Sequence, residues 1–142
     1  MPGYRKPFEY ELFTPQGTAG SGQAVSAILP AKDGQVGVLG GRAPLAVMIS
    51  GGLLVIEHED GQRELFYAAQ GFAQTREDRV TVVVEECTPL SQVDAEAAFA
   101  ELERLGQRVG MEHVEPLRRA ELMEAARRKF NLAQRFRRGE LK

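Results

Sequence analysis

The chain has 142 residues, of which 43% are hydrophobic and 27% charged, with a formal net charge of −2. This length supports one core, or a small domain with an appendage, and no apolar run approaches the roughly 20 residues of a membrane-spanning helix. The N-terminal residues lack the apolar segment of a secretory signal, so we expect a chain that stays in the cytosol or on its membrane face. Residues 1–103 carry a net charge of −8 and residues 104–142 carry +6, which indicates two parts with different surfaces.

The first part of the chain is typical of β-structure. Apolar and polar side chains alternate over residues 8–13, and Val80, Val82 and Val84 alternate with their neighbours, which is the period of a half-buried strand. Asp60–Gly61 supplies a hairpin turn between two apolar runs. The predicted strands span residues 8–13, 23–29, 36–39, 53–56, 64–69, 71–75 and 79–86. Short strands separated by turns at this spacing predict an antiparallel β-sandwich or barrel.

Residues 33–45 combine four glycines and a proline with valines and leucines. Glycine is favoured where the backbone takes a positive φ or approaches another backbone closely, and Pro44 does not suit a central strand. An apolar segment with so many residues that interrupt regular secondary structure is neither a flexible linker nor a simple strand. We therefore predict a tightly folded corner, with a short strand at residues 36–39 and an exposed turn at residues 40–44.

The second part of the chain is typical of helices. The spacing Ser91-x-x-Asp94 is that of a capping box and predicts a helix start within that stretch. Residues 110–114 break the pattern, and Pro116 suits the first turn of a second helix. The side chains at helical spacing are Ala98, Leu102, Leu105 and Val109, then Leu122, Ala126, Phe130 and Ala133. The predicted domains are a sandwich at residues 1–88 and an antiparallel two-helix hairpin at residues 89–142.

Candidate catalytic residues are few. His58 and His113 are the only histidines, and neither has a second histidine or a cysteine at metal-ligand spacing. The thiol of Cys87 follows a predicted strand, which favours a plain strand-end thiol over a nucleophile. The pair Glu85–Glu86 is better explained as a solvated strand end than as an acid–base pair. We predict no catalytic residues and no metal site.

The second predicted helix is strongly cationic towards its end. Cations at a helix C-terminus offset the macrodipole. This region has seven cationic side chains, which is more than the macrodipole requires, and this excess favours contact with an anionic protein surface or nucleic acid. Only Phe130 and Phe136 accompany them, at helical spacing, which counts against nucleic acid. The seven are Arg127, Arg128, Lys129, Arg135, Arg137, Arg138 and Lys142.

These features together resemble one family. The motifs that support the resemblance are Gly34-x-x-Gly37-x-Leu39-x-Gly41-x-Ala43-Pro44-Leu45, Gly51-Gly52-x-Leu54-x-Ile56, Gly71-Phe72, Val80-Thr81-Val82, and Val93-Asp94 before an alanine-rich helical hairpin. In this order they resemble the ε subunit of the rotary F-type ATP synthase, of the bacterial or plastid kind, over nearly the whole chain.

The resemblance implies a non-catalytic rotor subunit that couples rotation of the catalytic head to ion transport through the membrane c-ring. Its sandwich is expected at the foot of the central stalk, against the γ subunit and on the c-ring. We expect it to be peripheral on the cytoplasmic face of a bacterial inner membrane, or alternatively on a plastid thylakoid, without membrane insertion or nucleic-acid binding. The implied interface residues facing stalk and ring are Asp33, Gln35, Gly37, Gly41, Arg42, Ala43 and Pro44. Relatives often carry an acidic residue at Gln35, a histidine at Arg42 and proline at Gly40.

The resemblance also implies a regulatory role for the hairpin, which in the family inhibits ATP hydrolysis by reaching acidic segments of the β subunit. The implied contacts are Arg127, Arg128, Arg135 and Arg137. Some relatives bind ATP through Ile/Leu-Asp-x-x-Arg-Ala, where this chain keeps Asp94 and Ala98 but replaces the arginine by Ala97. With Arg104 as the remaining nearby cation, we expect no cofactor, and at most weak ATP binding at Asp94 and Arg104. The alternative hypothesis is a stand-alone β-sandwich binding module with a helical dimerisation hairpin.

Overall fold

The structure is a computed structural model that describes residues 6–41, 43–107 and 115–141. The chain divides into two compact units, Met1–Pro89 and Leu90–Lys142. This division falls one residue after the boundary that the sequence suggested. The first unit contains the strands and the second contains the helices.

The predicted fold class is confirmed, because the first unit is a β-sandwich and two helices follow it. The strands pair in the order β10-β7-β6-β3-β5-β8-β9-β1-β2, with β4 on β3. One pair, β1 with β9, is parallel, whereas the other pairs are antiparallel. The strands are β1 Phe8–Thr14, β2 Gly17–Ala24, β3 Ser26–Ala31, β4 Gly34–Leu39, β5 Leu45–Ile49, β6 Gly52–Glu57, β7 Arg63–Ala68, β8 Gly71–Arg76, β9 Arg79–Val84 and β10 Cys87–Pro89.

Alternating side chains build the core of the sandwich. Phe8, Tyr10 and Leu12 of β1 are buried, as are the predicted valines of β9, and each set lies on one face of its strand. Burying an aliphatic or aromatic side chain of this size contributes roughly 1.5–3 kcal/mol. The core continues through residues of the other strands, which are Ala24, Ala27, Leu29, Val38, Ile49, Leu54, Ile56, Phe66, Ala68 and Ala73.

The sequence analysis did not predict three of the observed strands. The single strand predicted at residues 23–29 is wrong, because β2 ends at Ala24 and β3 begins at Ser26. Strand β2 has the sequence GTAGSGQA, whose glycines and small polar residues have low β-propensity. It is nevertheless a strand, since β1 pairs with it along its length. The other two unpredicted strands are β5 and β10.

The predicted corner at residues 33–45 is two separate turns. Strand β4 begins at Gly34 rather than at residue 36, and it pairs with β3 through six residues. At about 3.3 Å per residue, the ends of β4 lie roughly 17 Å apart. The turn around Asp33 and the turn that starts at Gly40 are therefore at opposite ends of one strand.

The turn after β4 is tightly packed. A Cβ atom on Gly40 would collide with the backbone carbonyl oxygen of Lys6, so this position requires glycine. Gly41 has a φ of 82°, and its backbone N–H donates to Oδ1 of Asp78 at 3.2 Å. The other oxygen of Asp78 lies 2.8 Å from Nζ of Lys6. These contacts thus restrain the turn at Gly40.

The helices are α1 Ala95–Gly106 and α2 Pro116–Arg137. Asp94 is the N-cap of α1, and its carboxylate accepts hydrogen bonds from the backbone N–H groups of Glu96 and Ala97 at 3.0 and 3.1 Å. The predicted capping box is wrong, because Ser91 lies in a preceding 3₁₀ turn, Leu90–Gln92. The prediction that Pro116 opens the second helix is confirmed.

The two helices pack antiparallel. The rings of Phe99 near the start of α1 and Phe130 near the end of α2 lie 5.3 Å apart between centroids. At the other end, Nη2 of Arg119 donates to the carbonyl oxygen of Gly106 at 3.0 Å. Buried residues of this unit are mostly small or aliphatic, including Ala95, Ala98, Leu105, Ala126, Leu132 and Ala133. Val109 and the predicted break at residues 110–114 lie outside the described residues.

The close approach between Gly40 and the backbone of Lys6 leads to a prediction about stability. We expect Gly40→Ala to lower the free energy of unfolding by about 1–3 kcal/mol, because the added methyl group must displace backbone. Gly37→Ala is the matched control, since a Cβ there meets no atom within 4 Å, and we expect a change within about 0.5 kcal/mol. Urea unfolding of both variants measures the difference. Equal midpoints for Gly40→Ala and the unmodified chain would contradict the packing argument.

Candidate interaction surfaces

Among residues 6–41, 43–107 and 115–141, no group of three or more His, Cys, Asp and Glu side chains could hold a metal ion. Burial, together with the neighbouring Glu86, raises the pKa of Cys87 to about 12, so its thiol stays protonated at neutral pH. No helix in the described part of the chain is long and apolar enough to cross a membrane.

The interface residues implied by the resemblance form two groups. Asp33 and Gln35 lie at the β3–β4 hairpin, whereas Gly41, Ala43 and Pro44 lie in the turn beyond the other end of β4. All five are exposed. Between the groups lies Gly37, which is exposed on β4, and Arg42 is outside the described residues. The structure therefore does not bring these residues together into one patch.

Asp78 connects the second group to the β8–β9 turn. Its own φ is 59°, and that of Glu77 is 50°, so both residues of this turn have left-handed backbone conformations. Hydrogen bonds from Lys6 and from the N–H of Gly41 hold the pKa of Asp78 below its ordinary value. One charge-assisted hydrogen bond, from the N–H of Gly41 to Asp78, thus holds the turn after β4 to the β8–β9 turn.

The four arginines predicted to contact the catalytic head are all exposed on α2. At 3.6 residues per turn, they spread over an arc of roughly 180° around the helix. Nη2 of Arg128 lies 3.5 Å from Oε2 of Glu124, and Nε of Arg135 lies 3.9 Å from Oε1 of Glu140. Exposed pairs of this kind contribute little stability.

The two residues of the predicted nucleotide site are not brought together. Asp94 and Arg104 are ten residues apart on α1, which corresponds to roughly 15 Å along the axis. The carboxylate of Asp94 is occupied as the helix cap. The guanidinium of Arg104 donates to both oxygens of Glu101, at 2.6 and 3.0 Å, and its hydrogen bonding lowers the pKa of Glu101. Both groups therefore have structural roles within α1.

A hydrogen-bonded cluster of three side chains was not predicted from the sequence. Nε2 of His58 lies 2.6 Å from Oε2 of Glu64, and the hydroxyl of Tyr10 donates to the same oxygen at 3.0 Å. Nδ1 of His58 lies 2.9 Å from the carbonyl oxygen of Gln23. Because both ring nitrogens face acceptors, the doubly protonated imidazolium satisfies both. The sequence signal was weak, since Tyr10 and Glu64 are 54 positions apart.

The cluster changes the acidity of its members. The hydrogen bond to Glu64 is the largest cause that raises the pKa of His58 above its ordinary value. Burial, followed by the hydrogen bond to Glu64, raises the pKa of Tyr10 to about 12. His58 therefore gains a partner for its charged form on folding. Its contribution to stability is complete below the unfolded pKa of about 6.5 and is lost as the pH rises through the higher folded value.

This coupling predicts a measurable titration. We expect the NMR titration midpoint of His58 to fall towards its ordinary value in Glu64→Gln, because the charged partner is removed. The control Glu59→Gln removes an equal charge from the same hairpin, in the turn between β6 and β7, and should leave the midpoint in place. His113→Gln distinguishes the two histidine signals. An unchanged midpoint in Glu64→Gln would mean that the cluster does not hold the proton.

Comparisons with known proteins identify the family. The profile of the family described as ATP synthase, Delta/Epsilon chain, beta-sandwich domain, matches residues 7–89. Relatives named ATP synthase epsilon chain include one from Exiguobacterium sp., 34% identical over 78% of this chain and 83% of the relative. Another, from Desulfitobacterium hafniense, is 30% identical over 81% of this chain and 86% of the relative.

Two solved structures share the fold. A chain of the Euglena gracilis mitochondrial ATP synthase OSCP/F1/c-ring structure has a TM-score of 0.67 at 18% identity, with 93% of this chain and 80% of that chain covered. A chain of the Tetrahymena thermophila mitochondrial ATP synthase central stalk and c-ring has a TM-score of 0.63 at 11% identity, with 93% and 97% covered. By its sandwich profile and its relatives, this chain belongs to the ε-subunit family of F-type ATP synthases.

Proposed function

We propose that this chain is a non-catalytic rotor subunit of the central stalk, which couples rotation of the catalytic head to ion transport through the c-ring. The observation that carries the proposal is the family match across the whole sandwich, residues 7–89. Its partners are then the γ subunit and the c-ring, and its position is peripheral on the cytoplasmic face of a bacterial inner membrane. The bacterial origin of the similar ε chains supports that location.

The separation of the two exposed groups at the two ends of β4 supports contacts with two different partners. The group of Asp33 and Gln35 and the group of Gly41, Ala43 and Pro44 lie towards opposite ends of β4, which is roughly 17 Å long, and this is too far for one small contact. A sandwich held at both ends transmits torque between neighbours better than one held at a single point. We propose that one group contacts the γ subunit and the other contacts the c-ring.

The cationic end of α2 supports a regulatory role. We propose that Arg127, Arg128, Arg135 and Arg137 contact acidic segments of the β subunit and inhibit ATP hydrolysis. Small buried residues such as Ala98 and Ala126 give the helical unit a modest core, which suits an element with two alternative arrangements. Because Asp94 and Arg104 act within α1, this regulation operates without a nucleotide on the hairpin.

Co-purification tests the assignment directly. Affinity capture of the full chain from its native cell should recover the γ subunit and other ATP synthase subunits, as identified by mass spectrometry. Cysteine crosslinking from Gln35→Cys and from Ala43→Cys should then give different partner subunits, because the two positions are at opposite ends of β4. Capture of unrelated proteins alone, or a discrete homodimer, would instead favour the stand-alone binding module.

Neutralising the four arginines tests the regulation. We expect Arg127, Arg128, Arg135 and Arg137, all changed to Gln, to raise ATP hydrolysis by the assembled complex about fivefold or more, because the charge contact is lost. Arg118→Gln, on the same helix, is the control and should leave hydrolysis unchanged. The hydrolysis rate of the complex with each variant is compared with that of the unmodified complex at equal subunit content. Equal hydrolysis with and without the four substitutions would contradict the proposed contact.

A further inference from the structure

His58 connects two separate hairpins of the sandwich. Its backbone lies in the β6–β7 turn, where its N–H donates to the carbonyl oxygen of Gln62 at 2.8 Å and its own carbonyl oxygen accepts from the N–H of Gly61 at 2.9 Å. Its imidazole reaches β2, where Nδ1 lies 2.9 Å from the carbonyl oxygen of Gln23. On the other side of the ring, Nε2 lies 2.6 Å from Oε2 of Glu64 on β7. One side chain therefore contacts its own hairpin and the edge strand of the β1–β2 hairpin.

Strand β2 has few other contacts that hold its end. It stands at the end of the strand order, and in the described part of the chain its ladder is with β1. Residues 17–23 of this strand are exposed or half-buried, and Ala24 is its first buried residue. Strands with few buried side chains open locally at a low cost in free energy. A single hydrogen bond from His58 to Gln23 is therefore important for the position of this end.

The groups around the imidazole favour its protonated form. Glu64 presents a carboxylate, which also accepts from the hydroxyl of Tyr10 on β1 at 3.0 Å. The ring of Tyr10 is edge-to-face with the imidazole, at 6.0 Å between centroids. Asp60 adds a second negative charge from the same turn, whereas β2 contributes the uncharged carbonyl of Gln23. The side chain of His58 is 28% exposed, so its proton can exchange with water.

The two protonation states of the imidazole make different numbers of hydrogen bonds. The imidazolium has two N–H donors and satisfies both acceptors, whereas the neutral ring has one N–H and one lone pair. The remaining N–H is stabilised more by the carboxylate of Glu64 than by a neutral carbonyl, because charge-assisted hydrogen bonds are roughly twice as strong. Deprotonation therefore takes the proton from Nδ1. The lone pair on Nδ1 then faces the carbonyl oxygen of Gln23 and repels it.

We propose that His58 is a pH-sensitive clasp, which holds the end of β2 on the β6–β7 hairpin while the imidazole is protonated and releases it when Nδ1 loses its proton to water. The clasp closes as the pH falls through the titration midpoint of the folded protein, and it opens as the pH rises through that midpoint. The bond to Glu64 and the backbone of His58 stay in place, so the change is confined to the end of β2 and its junction with β3. The clasp goes beyond the proposed function, since it needs no partner subunit.

NMR of the full chain tests the clasp at both ring nitrogens. We expect the ring nitrogen chemical shifts above the midpoint to identify the tautomer with its proton on Nε2. The N–H of Val25 donates to the carbonyl oxygen of Glu57 at 2.8 Å, next to the clasp. We expect its protection from hydrogen exchange, corrected for the intrinsic effect of pH, to fall about fivefold across the same midpoint, which corresponds to the loss of one hydrogen bond. A proton on Nδ1 above the midpoint, or constant protection of Val25, would overturn the proposal.

Three variants assign the change in protection to His58. His58→Gln keeps a neutral donor that does not titrate, so the protection of Val25 should show no step with pH. Glu64→Gln lowers the midpoint of His58, so the step should move to lower pH with it. Glu59→Gln is the control from the same turn and should leave the step in place. The amide spectrum of each variant is the folding check. A step that persists in His58→Gln, or that does not move in Glu64→Gln, would contradict the clasp.

Discussion

The parallel pairing of β1 with β9 is the constraint on which the described surfaces depend. It aligns Glu9 with Arg79 and Phe13 with Val83, and it joins segments about 70 residues apart. The contact of Glu9 N–H with the carbonyl oxygen of Asp78, at 2.9 Å, extends this pairing to the β8–β9 turn. Since long-range pairings of this kind must overcome loop-closure entropy, the buried side chains of both strands have to supply the compensating free energy.

The same pairing produces two different surfaces from one sheet. At one end of β1 and β9, Arg79 lies between two carboxylates, and the surface is charged but locally balanced. At the other end the outward residues are Phe13 and Val83, and the surface is apolar. A shift of one residue in this register would turn core side chains outward and would turn Phe13 and Val83 inward. The register therefore fixes both the core and the outward positions of Phe13 and Val83.

Local alternation made much of the fold predictable, because it reports directly which side chains face the core. It found β1 and β9, and it found the strands on either side of the Asp60–Gly61 turn. It missed β2, whose small residues carry no such pattern and which depends on pairing with β1. The candidate interface was less predictable, since proximity in sequence between Asp33 and Pro44 does not mean proximity in space when a strand lies between them. The cluster of His58, Glu64 and Tyr10 depends on contacts that no local pattern encodes.

The cap at the start of α1 has a consequence for comparing members of this family. The carboxylate of Asp94 satisfies two backbone amides that would otherwise have no partner. Folding alone is then a sufficient reason for an aspartate at this position. An aspartate here in another ε chain cannot by itself distinguish a nucleotide-binding hairpin from one that only needs its first turn closed. The residue three positions later, Ala97 in this chain, is the more informative one, because an arginine there has no capping role.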